Sequence, residues 1–266
     1  MSVRSPAVAG MFYAAAPTAL AADVRTYLAG AARPISAAAR PKALIVPHAG
    51  YMYSGGIAAA AYARLAGCGD AIRRVVLLGP AHRVLVRGLA VPSVDAFVTP
   101  LGNVRVDRDA IASVLALPQV CESDAAHRLE HSLEVQLPFL QAVLGEFRVV
   151  PIAVGDARPA DVAEVIERLW GGAETLLVIS SDLSHYHRDA VAREMDATTA
   201  EAVMALSPTL AYEQACGATP INGFLLAARR HALRPELLDL RNSGDTSGDK
   251  SRVVGYASFA FDEVST

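Results

Sequence analysis

The chain has 266 residues, a hydrophobic share of 53% and a formal net charge of −3. That length suits one large α/β domain, and the apolar share supports a core without cross-links. The absence of a basic stripe speaks against nucleic-acid binding, and three scattered cysteines exclude a disulfide framework and make a reducing cytoplasm the expected compartment. The N-terminal stretch lacks the apolar core of a signal peptide, and every apolar run is shorter than a membrane span.

In chain order, the pattern predicts a first helix over Thr18–Leu28, then an Ala- and Pro-rich connector from Ala29 to Pro41. Short runs rich in Val, Leu and Ile and bounded by Gly or Pro predict strands at Ala43–Val46, Arg74–Leu78, Leu89–Val91, Arg148–Val154 and Thr175–Ser180, with two more at Glu236–Arg241 and Val253–Phe261. Between them, helical patterns fall at Gly56–Leu65, Asp107–Leu115, Leu133–Leu144, Pro159–Leu169, Asp189–Leu206 and Pro220–His231. Several strands are apolar throughout, as strands covered on both faces are. The alternation therefore predicts a single α/β domain over residues 1–266, with a mostly parallel, mixed central sheet flanked by helices. The last run alternates more clearly and reads as an antiparallel edge strand.

Ligands of open α/β sheets bind beyond the carboxyl ends of the strands. Chemically able residues collect there. His48 follows the first sheet strand in "LIVPHAG", His82 follows "VVLLGPAH", and Asp182 and His185 follow "TLLVIS" in "SDLSHYH". One such histidine is more often structural than not; three from separate strand ends suggest a site built from distant segments. In "EHSLEVQLPFL", the carboxylates of Glu130 and Glu134 are placed either to orient an imidazole such as His131 or to cap a helix start. His127 and His231 read as solvent-facing, and His187 has no evident partner. Cys216 lies just before a helix with Thr219 as its expected N-cap, a position that lowers a thiol's pKa; the alternative is a small buried apolar residue. Cys68 and Cys121 lack such a context. "RNSGDTSGDKSRVVGY" reads as a solvated connection rather than a phosphate loop.

Seven ordered motifs, "SPAVAGMFY", "VPHAGYMYSG", "LLGPAH", "EHSLEVQLPFL", "SSDLSHY", "CGATPINGFLL" and "SGDTSGDKSRVVGYAS", resemble the Memo family, whose prokaryotic members are called AmmeMemoRadiSam system protein B. The resemblance implies a fold like that of class III extradiol dioxygenases. It implies metal ligation by His48, His82 and Cys216, pocket roles for Asp182 and for His185 as acid–base residue, and a lining role for His131. Tyr51 and Tyr53 either line the pocket or pack its loop. Two imidazoles and a thiolate would accept Fe(II) first, with Cu or Zn as alternatives. The leading expectation is a non-haem-iron redox enzyme in which Asp182 positions His185. A zinc-dependent hydrolase and a scaffold that recognises a peptide are the alternatives. Expected partners are a small molecule or peptide, and radical-SAM and AMMECR1-type proteins; neither nucleic acid nor membrane is expected.

Overall fold

The computed structural model describes residues 1–31 and 41–264. Among them are the strands β1 (Val3–Arg4), β2 (Pro41–Val46), β3 (Arg74–Pro80), β4 (Leu89–Val91), β5 (Ala96–Thr99), β6 (Gly102–Val106), β7 (Val120–Glu122), β8 (Arg148–Val154), β9 (Thr175–Ser180), β10 (His185–His187), β11 (Arg234–Asn242) and β12 (Val253–Asp262). The helices are α1 (Pro17–Ala31), α2 (Tyr51–Tyr62), α3 (Arg108–Leu115), α4 (Asp124–Arg128), α5 (Leu137–Val143), α6 (Pro159–Leu169), α7 (Asp189–Met204), α8 (Ala218–Arg230) and α9 (Ser243–Ser247).

The centre of the sheet is the parallel run β8-β3-β9-β2. Its strands are the apolar runs of the sequence, and β2 and β9 are buried along their whole length. A strand sealed on both faces gains from Val, Leu and Ile at every position, which explains the missing alternation. Around this centre the sheet becomes mixed: β12 runs antiparallel to β2, β5 antiparallel to β6, and β4 antiparallel to β8. The fold is thus a single α/β domain with a mostly parallel mixed sheet and flanking helices.

The structure corrects several sequence expectations. β12 is no edge strand: it pairs with β2 and with β11, and all but Val254 of it is buried. Its alternation arises from small residues, Gly255, Ala257, Ser258 and Ala260, which let it pack inside the sheet. The charged β11 takes the edge instead, where its Arg, Glu and Asp side chains discourage further pairing. α2 begins at Tyr51 rather than Gly56, with Gly50 as N-cap. The Leu133–Leu144 helix is a 3₁₀ turn at Glu134–Gln136 followed by α5. The hairpin of β5 and β6 lacks an apolar run and escapes periodicity reading. Most of the Ala29–Pro41 connector, residues 32–40, lies outside the described residues; its ends belong to α1 and β2.

The order β3-β9-β2 has one consequence for chemistry. These three strands end at Pro80, Ser180 and Val46. His82, Asp182 and His48 therefore leave the sheet from neighbouring strands, one strand spacing of about 4.8 Å apart.

Candidate metal centre

His48 follows β2 and is buried. Its backbone N–H donates to Asp182 Oδ1 at 2.7 Å. Its Nδ1 lies 2.9 Å from Ser180 Oγ. That hydroxyl spends its proton on the Ser132 carbonyl, at 2.6 Å, and also accepts from Gln136 Nε2 at 2.9 Å. A serine hydroxyl has one proton, so Nδ1 of His48 must be the donor, which leaves Nε2 with a bare lone pair. Gln136 is fixed in turn, donating to the Pro47 carbonyl and accepting from the Tyr62 hydroxyl, both at 2.9 Å.

His82 follows β3 and reaches the same arrangement by another route. Its Nδ1 donates to Glu130 Oε1 at 2.9 Å, and its backbone N–H donates to Glu130 Oε2 at 2.6 Å. A carboxylate only accepts, so the Nδ1 proton is committed to Glu130 and Nε2 is the ring nitrogen left to face the cleft. Burial alone would raise the Glu130 carboxyl, but hydrogen bonds from His82 and from the Ser132 N–H outweigh it and hold it at about 2. Glu130 is therefore charged at neutral pH and orients the imidazole of His82, a residue 48 positions away, rather than that of its neighbour His131.

His131 stacks on His82 with ring centroids 4.8 Å apart and meets His48 edge-on at 5.5 Å. Its Nδ1 is buried without a hydrogen-bond partner, 3.5 Å from Glu130 Oε1. Donor atoms of His48, His82 and His131 all lie within 4.8 Å of one another. One ion with bonds of about 2.1 Å joins three such nitrogens after small side-chain adjustments. Burial, reinforced by the neighbouring rings, pushes His48 well below the usual histidine range and His131 to about 4, so both are neutral and ready to coordinate at pH 7.

Cys216 Sγ stands 3.3 Å from His48 Nε2 and 3.7 Å from the Asp182 carbonyl oxygen. α8 starts at Ala218 with Gly217 as N-cap, two residues before the expected start. Gly217 is required there: a Cβ would lie 2.6 Å from Ser181 Cβ, so a side chain would push the loop off the end of β9. The expected low thiol pKa is overturned. Burial, with the Asp182 charge adding to it, pushes the thiol up to about 12. Desolvation outweighs the helix end, and only a bound cation would reverse the balance by deprotonating a coordinating thiol.

His48, His82, His131, Asp182, His185 and Cys216 share one cleft of about 670 Å³, with Arg83, Tyr186 and Tyr212 also on its walls. Asp182 is buried and its carboxyl is raised to about 7 by desolvation, against the hydrogen bond from His48. It does not orient His185, whose Nδ1 donates instead to the Leu183 carbonyl at 2.8 Å. Tyr51 and Tyr53 lie apart, in the first turn of α2: the Tyr51 hydroxyl donates to the Val135 carbonyl at 2.6 Å, and both tyrosines line a separate groove with Tyr27 and Arg241. His127 is buried rather than solvent-facing, its Nε2 donating to the Ala90 carbonyl at 3.0 Å. Sequence reasoning missed Ser180 and Gln136, although each is a polar residue within or ending an apolar run, "TLLVIS" and "EVQLPFL".

The model of the Memo-like protein family matches residues 4–260. The chain belongs to the Memo family. Relatives named MEMO1 family proteins include one from Ignicoccus hospitalis, 39% identical over 98% of this chain and 99% of its own. One from Aquifex aeolicus is 38% identical over 98% and 100%, and one from Methanosarcina barkeri is 39% identical over 96% and 98%. The Memo fold is that of class III extradiol dioxygenases, so the strand-end cleft of this Memo chain sits where an open α/β sheet presents its ligands. Its donors, three clustered imidazoles beside a thiol, suit a late first-row metal ion. Among the described residues no helix is long and apolar enough to cross a membrane.

Proposed function

We propose that this chain is a metal-dependent redox enzyme of dioxygenase-like type acting on a small oxygenated compound, with Fe(II) held by His48 and His82 and a third donor from His131 or Cys216. One observation carries the reading. Two imidazoles from different strands each have their outer N–H pinned by a fixed acceptor, Ser180 for His48 and Glu130 for His82, so both free nitrogens are held ready in one cleft. When bound, the ion supplies a Lewis-acidic, redox-active centre.

The chain's own residues supply the proton handling. Burial lowers His185 below the usual imidazole range, and its Nδ1–H is committed to Leu183, so a neutral Nε2 can take a proton as general base. Asp182, near 7, exchanges a proton at physiological pH while its Oδ1 fixes the backbone of His48. A second reading, a zinc-dependent hydrolase, draws on the three-imidazole cluster, because three histidines are a common catalytic zinc set.

The test is an anaerobic titration of the reduced chain with Fe(II), and separately with Zn(II), followed by oxygen uptake with candidate substrates. One-to-one Fe(II) binding lost in His48→Ala, with substrate-dependent oxygen consumption, supports the redox reading. Tight zinc binding with ester cleavage and no oxygen uptake transfers support to the hydrolase. Comparing His131→Ala with Cys216→Ala identifies the third donor, and unchanged affinity in His48→Ala and His82→Ala defeats the site.

A further inference from the structure

A second cleft, of about 860 Å³, opens at the other end of the sheet, over the starts of the parallel strands. Arg74 begins β3, Arg148 begins β8, and Arg105 lies in β6. The register sets Arg74 beside Arg148, and Arg148 beside Arg105. Registered residues of neighbouring strands project to the same face, so three guanidinium stems stand side by side at spacings of about 4.8 Å. Like charges placed this way repel, and the row calls for a counter-charge.

Among the described residues, Asp107 forms a close ion pair with one member, Arg74, and acts on Arg148 only at longer range. Asp107 Oδ2 accepts from Arg74 Nε at 2.8 Å, while its Oδ1 caps α3 by accepting the Ala110 N–H at 3.1 Å. Glu174, on the same wall, is turned to its own loop, accepting from the Gly172 N–H and the Thr175 hydroxyl. Arg105 and Arg148 are exposed and have no carboxylate within 4.0 Å among the described residues.

We infer that this end of the sheet is a second binding site, for a compact multivalent anion carrying two linked phosphoryl groups, free or as part of a nucleotide. A guanidinium fork pairs with phosphate oxygens bidentately. Two unpaired forks one strand spacing apart engage two linked phosphoryl groups better than one isolated phosphate. Asp109 and Glu146 line the same cleft and oppose the anion, which gives the site a sign that can be tested. The seven residues of β3 separate the arginines from His82 by roughly 20 Å, so the two ends can be probed separately.

The test is calorimetric titration of the full chain with sodium pyrophosphate, alongside orthophosphate and ADP at matched ionic strength. Expected is saturable one-to-one binding, roughly tenfold tighter for pyrophosphate than for orthophosphate, and roughly tenfold weaker in Arg105→Ala/Arg148→Ala. Arg105→Lys/Arg148→Lys keeps the charge and loses the fork, so it weakens binding even if the alanine pair fails to fold. Asp109→Asn tightens it, and His48→Ala leaves it unchanged. ADP binding as tightly as pyrophosphate marks a nucleotide site, and its exclusion marks a site for free diphosphate. Absence of saturable binding, retention in both arginine double variants, or loss in His48→Ala overturns the proposal.

Discussion

Glu130 and Glu134 lie four residues apart, both buried, yet they serve different regions of the molecule. Glu134 closes a clasp around the N-terminus. It pairs with Arg4, accepts from the Tyr13 hydroxyl, and takes the Ala7 and Val8 N–H groups at 2.7 and 3.1 Å. Arg4 spends its other nitrogens on the His127 and Glu130 carbonyls, at 3.0 and 2.6 Å. Every polar atom in the clasp is directed inward. Glu130 instead grips His82, an imidazole whose second nitrogen is left open to a cleft. A buried carboxylate whose partners are all consumed holds the fold; one whose partner keeps a free lone pair prepares a site.

The largest expected effect breaks the clasp. Glu134→Ala leaves the Arg4 guanidinium buried without its counter-charge, and losing one partner of a buried pair costs about 3–5 kcal/mol. Urea denaturation reads the loss directly, and a change under about 1 kcal/mol would mean that Arg4 finds water instead. Glu130→Gln acts on the other region. The amide oxygen still accepts from the His82 ring and the Ser132 N–H, but the charge is lost and the amide nitrogen meets the His82 backbone N–H, so metal affinity should fall about 10–100-fold with a stability loss smaller than that of Glu134→Ala. Zinc titration beside a melting curve separates the two quantities; equal damage from both substitutions would erase the distinction between fold and site.

Acid should expose the neutral character of the buried imidazoles. His127 and His131 are held at about 4, and His48 and His185 also lie below their ordinary value, with burial as the leading cause in each. In the unfolded chain these imidazoles bind protons near 6.5. The unfolded state therefore takes up more protons as pH falls from 6.5 to about 4, and stability of the metal-free chain drops across that window. Asp182, raised to about 7, works in the opposite direction, because its protonation in the folded state favours folding below that pH. Asp196 and Asp262, which burial also raises, act with Asp182; against these three carboxyls stand the four imidazoles and the lowered carboxyl of Glu130, so the net slope is loss in acid. His127→Gln keeps a donor for Ala90 and removes one titrating group, so its stability should fall less steeply between pH 7 and 5.

How much of this is legible without coordinates depends on where the cause lies. His48, His82, Asp182 and His185 can be read because an apolar run ends and a polar residue follows, and the sheet turns that local event into a shared edge. The parallel centre is readable for the same reason. The roles of His131 and Cys216 came with the motifs, since neither follows a strand. Ser180 and Gln136 stayed hidden because what fixes the tautomer of His48 is a count of donors and acceptors from three distant segments. The thiol of Cys216 was misjudged because a helix end is a local feature and burial is not. The buried imidazole of His127 was misjudged likewise, its acceptor being Ala90 on β4.

The smallest expected effect lies on the wall of the cleft itself. Tyr186 has φ of 63°, a left-handed conformation that bulky residues rarely adopt. A strand would turn Tyr186 away from the face shared by its neighbours, but here His185, Tyr186 and His187 all line the cleft, and the pairing of β10 with β12 is irregular at that point. The ring is 64% exposed, with the Arg252 guanidinium 5.1 Å from its centroid. A strained, exposed aromatic beside the His185 imidazole and the Arg252 guanidinium suits a wall that contacts a ligand. Tyr186→Gly removes the strain, roughly 1 kcal/mol, and adds back a comparable entropy cost, so stability should change by less than about 1 kcal/mol in either direction. Ligand affinity should fall while metal affinity stays level. A clear rise in stability with no change in ligand binding would show that the conformation is tolerated rather than used, and would assign recognition to the imidazole face of the cleft alone.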